Sequence, residues 1–152
     1  MQLDLRIGSR GPLHCGGAGK AMLAFMSEAE QETVLGTPLQ ALTANTITDP
    51  AVLRRELARV RQRGYSLDDQ EVVMGVFCVA MPILDRLGRA VGAISITGPS
   101  PKQPGPHVDR LVAMLGEACG HVSRRLGYGG PFPVVTGGPE IPAVRGGRGR
   151  PS

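Results

Sequence analysis

Apolar positions recur along this chain at two spacings. From Met1 to Ile7 they alternate, with Leu3, Leu5 and Ile7 apolar and Gln2, Asp4 and Arg6 polar. That period of two predicts a half-buried strand. "GSRGP" turns the chain, and "GGAGKAMLAFM" reads as a glycine-rich helix start running into a buried helix. Ser27 and Glu30 stand at capping-box spacing and predict a second, short helix. Asp49 followed by Pro50 predicts a capped third helix, on which Leu53, Leu57 and Val60 form one apolar stripe and which Gly64 ends. A short strand is expected over Tyr65–Leu67. Phe77–Leu84 is nearly continuous in apolar residues and predicts a well-buried strand. "DRLG" turns into a further strand, Ala90–Thr97. A last helix starts near His107. Its seam is Val108, Leu111, Val112, Leu115, Cys119, Val122 and Leu126. Hairpin connections in the second half, with helices on the sheet, predict an α+β fold with an antiparallel sheet.

Beyond Gly129 the periodicity stops. Twelve of the last 24 residues are Gly or Pro, which predicts a disordered tail over 129–152 and a single folded domain over 1–128. Of the net charge of +4, half lies in that tail. The domain is therefore nearly balanced, and no strong phosphate-binding surface is expected. Aromatics are few, which weighs against base stacking on single-stranded nucleic acid. Cys15, Cys78 and Cys119 are widely spaced and odd in number, pointing to a reducing, cytoplasmic setting without a zinc knuckle. No apolar run approaches the ~20 residues that span a bilayer.

Four places carry candidate chemistry. "GGAGK", residues 16–20, offers backbone amides at a helix start. Ala21 stands where a nucleotide-binding P-loop needs Ser or Thr, so the choice is between a tight packing turn and a small-carboxylate site. Asp68, Asp69 and Glu71 read most simply as a solvated loop. Cys78 in an apolar strand reads as a small buried hydrophobe; as a nucleophile it would need a base, and His14 or Asp68 are the candidates. Ser95 and Thr97 share one strand face and offer two hydroxyls to a polar ligand or to solvent.

The stretches "PLHCGGAGKAMLAFMSEAE", "RGYSLDDQE", "GVFCVAMP" and "SITGP", in that order, resemble the effector-binding domain of the IclR family of bacterial transcription regulators. The resemblance covers most of residues 3–128. It implies a GAF-like antiparallel sheet flanked by helices and a site for a small organic acid, with no cofactor, no metal and no catalysis. It places Gly17, Ala18, Asp68, Cys78, Ser95 and Thr97 at that site, with Val76 and Met22 as apolar walls, and leaves Asp69 and Glu71 in solvated or structural roles. Family members carry a DNA-binding winged helix-turn-helix to which nothing here corresponds. The chain is thus expected to begin inside the sheet domain without its first strand, and to assemble as a homodimer or tetramer. DNA contact is expected only through that separate domain, and no membrane contact is expected. Two other readings compete: a thiol enzyme using Cys78, and zinc held by Asp68, Cys78 and His14.

Overall fold

The computed structural model describes residues 6–102 and 104–132. Helices α1 (Gly17–Leu23), α2 (Glu28–Leu35) and α3 (Pro50–Arg63) come first. Strands β1 (Ser66–Asp69), β2 (Val76–Leu84) and β3 (Ala90–Pro99) follow, and α4 (Pro104–Arg125) comes last. The sheet runs β1-β2-β3 with both pairings antiparallel, giving the α+β architecture expected.

The local signals act as their chemistry requires. The Ser27 hydroxyl accepts the Glu30 amide, and the Glu30 carboxylate accepts the Ser27 amide at 2.8 Å. Asp49 accepts the amides of Ala51 at 2.7 Å and Val52 at 3.4 Å, so two of the orphan donors of α3 are satisfied. At the far end Gly64 sits at φ 86, a left-handed conformation that suits glycine.

Alternation then sorts β2 between two layers. Phe77, Val79 and Met81 face α4, where they meet Val108, Val112, Leu115 and Cys119; Tyr65 and Leu67 join this cluster. Val76, Cys78 and Ala80 point to the opposite face, which α1 covers. Beyond α1 a second cluster joins the helices: Leu23, Phe25, Leu35, Leu53, Leu57, Val60 and Leu84.

Several boundaries differ from the sequence reading: β2 begins one residue before Phe77, and β3 runs two residues past Thr97. Strand β1 is Ser66–Asp69 rather than Tyr65–Leu67, so both aspartates belong to the sheet and not to a loop. The reason is pairing: Asp68 and Asp69 lie opposite Cys78 and Phe77, and the ladder holds them. Helix α4 begins at Pro104, three residues before His107. Prolines fit a first helical turn because its amides have no intrahelical acceptor. The folded chain also runs past 128, because Phe132 packs against both clusters and lies 6.5 Å from Tyr128 in an edge-to-face arrangement. Of the strand expected over 1–7, Arg6 and Ile7 are not in β structure, and the rest lies outside the described residues, as does the expected tail from residue 133 onward.

Candidate functional site

Register brings the separated candidates together. Asp68 lies opposite Cys78, and Cys78 opposite Thr97, so the three form one row across the sheet on its α1 face. Ser66, Ala80 and Ser95 form the next row. The turn between β1 and β2 explains why residues ten apart in sequence meet; it is fixed by the Gln70 amide donating to the Val76 carbonyl at 2.9 Å. Val76 is buried on the same face. The Ser95 and Thr97 hydroxyls approach the Cys78 thiol, and both residues remain exposed on β3.

Helix α1 stands directly on this face, and glycine is what lets it do so. A Cβ on Gly17 would come 2.6 Å from Cys78 Sγ and 3.2 Å from the Ala80 Cβ. The Gly17 amide donates toward the Cys78 thiol, and its carbonyl accepts the Ser66 hydroxyl at 2.5 Å. Ala18 and Met22, one turn apart, share a flank of α1, and both are half-buried. "GGAGK" is thus a close-packing turn as well as a source of helix-start amides.

Asp68 is 5% exposed, and its carboxylate accepts the Glu71 amide at 2.7 Å and the Val72 amide. Burial is the main cause that pushes its carboxyl above the ordinary carboxylate range. The two amides and Lys20 pull it back, and neighbouring Asp69 adds to the rise. A carboxyl raised on folding adds stability that is complete below its unfolded value and is lost as pH rises through the folded value. Asp68→Asn keeps an oxygen for the Glu71 amide and cannot ionise. Its stability relative to the native protein is expected to improve as pH rises above about 4, the unfolded value, and to level off once pH passes the raised folded value. Urea midpoints at several pH values check this, and a constant difference would contradict it.

Two residues outside the expected site, Lys20 and Glu71, form a buried pair beside it. Lys20 is 1% exposed, and its ammonium donates to Glu71 Oε1 at 2.5 Å and to the Leu67 carbonyl at 2.6 Å. Glu71 is buried, not solvated: its other oxygen accepts the Gly16 amide at 3.2 Å, and its carbonyl accepts the Thr46 hydroxyl at 2.6 Å. Glu56 of α3 lies 4.0 Å from Lys20 and pairs with Arg63 at 2.9 Å. The only sequence signal is a lysine in the buried part of a helix, three residues after the Gly16–Gly17 pair. Asp69 is half-buried and faces away, toward the α4 side.

The competing chemistries find no support in this geometry. Burial, chiefly, raises the Cys78 thiol, and the Asp68 charge adds to it, so the thiol stays protonated at neutral pH. His14 is turned elsewhere, with Nε2 2.9 Å from the Gln40 carbonyl. Cys15 is buried and pushed up to about 11, mainly by burial and then by the charges of Glu71 and Asp68. Among the described residues no three or more His, Cys, Asp or Glu side chains are grouped to hold a metal ion. No described helix is long and apolar enough to cross a membrane.

Comparison with known proteins identifies the family of this domain. Residues 1–124 match the family described as bacterial transcriptional regulator IclR C-terminal. The transcriptional repressor IclR of Escherichia coli K12 is 39% identical over 131 residues, which is 86% of this chain and 47% of that protein. The chain therefore spans about half the length of the curated relatives it matches. The crystal structure of the Thermotoga maritima IclR superposes with a TM-score of 0.79 at 37% identity, covering 84% of this chain and 53% of that one. A double mutant of the inducer-binding domain of the Acinetobacter transcription factor PobR, in complex with 3-hydroxybenzoic acid, superposes at a TM-score of 0.70 and 28% identity, covering 78% and 69%. With the family's domain matched over nearly all of the described sheet and helices, this chain belongs to the IclR family of bacterial transcription regulators and carries its C-terminal domain.

Proposed function

We propose that the α1 face of the sheet is an effector site for a small organic acid, within a regulator that senses a metabolite and adjusts transcription. The observation that carries this is the row Asp68–Cys78–Thr97, with Ser95 beside it and the start of α1 above. The row offers hydroxyls that donate or accept, a neutral thiol and one carboxylate, with the apolar Val76 on the same face and Met22 on the covering helix as the apolar walls of this reading. Ala18 adds an amide of the helix start, and Gly17, whose own amide donates toward the Cys78 thiol, lines the same place. An acceptor carboxylate suits a ligand hydroxyl or a protonated group and repels a second negative charge. The reading therefore favours a monocarboxylic acid bearing a hydroxyl or keto group over a diacid. The hydroxybenzoic acid named with the Acinetobacter inducer-binding domain is of that chemical class.

In this reading the domain does no catalysis and needs no cofactor. It acts in the cytoplasm as part of a homo-oligomer, and it reaches DNA only through a separate winged helix-turn-helix. Effector binding then favours one quaternary arrangement over another.

Isothermal titration with 3-hydroxybenzoate and a panel of short hydroxy and keto acids tests the site. At least one acid is expected to bind. Ser95→Ala and Thr97→Val are each expected to weaken it about fivefold to tenfold, the size of one lost hydrogen bond. Absence of binding by every acid, or a binder indifferent to both substitutions, would overturn the assignment.

A further inference from the structure

Helix α1 has seven residues, its N-cap Gly16 provides no side-chain cap, and its first turn holds no acid. Its start is nevertheless held, by a residue 55 positions away: Glu71 accepts the Gly16 amide at 3.2 Å. The other oxygen of the same carboxylate takes the ammonium of Lys20, which lies in the same helix. One carboxylate therefore grips α1 at two points about a turn apart. The backbone of Glu71 is fixed as well, its amide by Asp68 at 2.7 Å and its carbonyl by the hydroxyls of Thr46 at 2.6 Å and Thr43 at 3.2 Å. Glu71 thus joins the row on the sheet, through Asp68, to the helix that covers it.

We propose that Glu71 and Lys20 are positioning residues of the effector site: they hold the Gly16–Ala18 segment over Asp68 and Cys78, and so set affinity without touching the ligand. This rests on the effector-site reading above. Both residues are buried, and their hydrogen bonds run to each other and to backbone, which favours a holding role over ligand contact. Gly16 closes the linkage, since a Cβ there would lie 3.8 Å from Asp68 Oδ2 and 3.1 Å from Val72 Cγ2.

The test compares two double variants with the native domain. In Lys20→Met/Glu71→Leu both charges leave together, so no buried ion is stranded, but Gly16 loses its acceptor. In Lys20→Met/Glu71→Gln the charges are also gone, and a side-chain oxygen remains for Gly16. Titration with 3-hydroxybenzoate, or with the acid from the panel that binds, is expected to show about tenfold weaker binding in the leucine variant and substantial recovery in the glutamine variant. Amide hydrogen exchange provides a reading that needs no ligand. Gly16 is expected to exchange about tenfold faster in the leucine variant than in the glutamine variant, with α4 unchanged in both. Equal affinities and equal Gly16 exchange in the two variants would overturn the positioning role. If no acid binds the native domain, the effector-site reading fails, and the exchange comparison still decides whether Glu71 holds the helix start.

Discussion

Lys20→Met is expected to destabilise the domain by about 3–5 kcal/mol at neutral pH, the usual consequence of removing one partner from a buried ion pair. The Lys20 ammonium is 1% exposed and lies 2.5 Å from Glu71 Oε1. Without it, Glu71 stays buried between Gly16 and a turn whose backbone it helps to fix. Burial already lifts the Glu71 carboxyl above its ordinary range, with Lys20 as the main opposing influence. In the variant the carboxyl rises further, so the loss should shrink as pH falls and the acid takes up its proton. Adding Glu71→Gln should restore much of the loss, because the stranded charge is then gone and an acceptor for Gly16 remains. Urea denaturation of the two single variants and the double gives the coupling directly. A Lys20→Met domain within about 1 kcal/mol of the native one would mean that the pair contributes as little as a surface salt bridge.

The second large effect is expected at Gly17. Gly17→Ala puts a methyl 2.6 Å from Cys78 Sγ, so either α1 lifts or the thiol leaves its rotamer. Overpacking of this kind costs about 1–3 kcal/mol. Removing the sulfur should relieve it: in Gly17→Ala/Cys78→Ala the nearest remaining atom is the Ala80 Cβ at 3.2 Å, a contact that small shifts can absorb. The double variant is expected to be more stable than Gly17→Ala alone, although Cys78→Ala on its own removes buried volume. Thermal unfolding of the four proteins checks the sign. Strictly additive losses would show that the Gly17 position and the thiol do not meet. Because the same glycine brings the helix onto the row, Gly17→Ala should also weaken acid binding in proportion to how far α1 is displaced.

These two residues show where sequence was informative and where it was not. Signals within a few positions translated directly into structure. The Ser27–Glu30 capping box and the Asp49–Pro50 start both form, and Gly64 takes the left-handed conformation that ends α3. Alternation in β2 separated Phe77 from Cys78 correctly, because neighbouring strand residues must face opposite layers. Signals that depend on distant pairing were silent. A lysine inside a helix and an acid in a turn are ordinarily solvated, and nothing local shows that Lys20 and Glu71, 51 positions apart, meet in the interior. Local signals read Asp68 as loop for the same reason: its strand character comes from the ladder with β2, not from its own propensity. The grouping of Asp68, Cys78, Ser95 and Thr97 was expected from ordered motifs resembling a known family. Residue spacing alone left all four with bland alternatives. The register of the sheet supplies the physical reason they lie together.

Membership in the IclR family assigns this chain the family's C-terminal domain, and in the proposed reading the chemistry of one sheet face narrows what that domain senses. The Cys78 thiol, kept protonated by burial, serves better as a weak polar contact than as a nucleophile. In the proposed site the Asp68 carboxylate, half engaged by the turn that follows it, would limit the negative charge a ligand can bring.

Backbone amide NMR during titration with 3-hydroxybenzoate and the short hydroxy and keto acids tests the effector site most directly. The expected result is saturable shifts concentrated on Gly17–Met22, Asp68, Val76–Cys78 and Ser95–Thr97, with α2 and the outer face of α4 unmoved. Shifts from a bound acid that cluster elsewhere, or no shifts with any of the acids, would contradict a ligand site on the α1 face of the sheet.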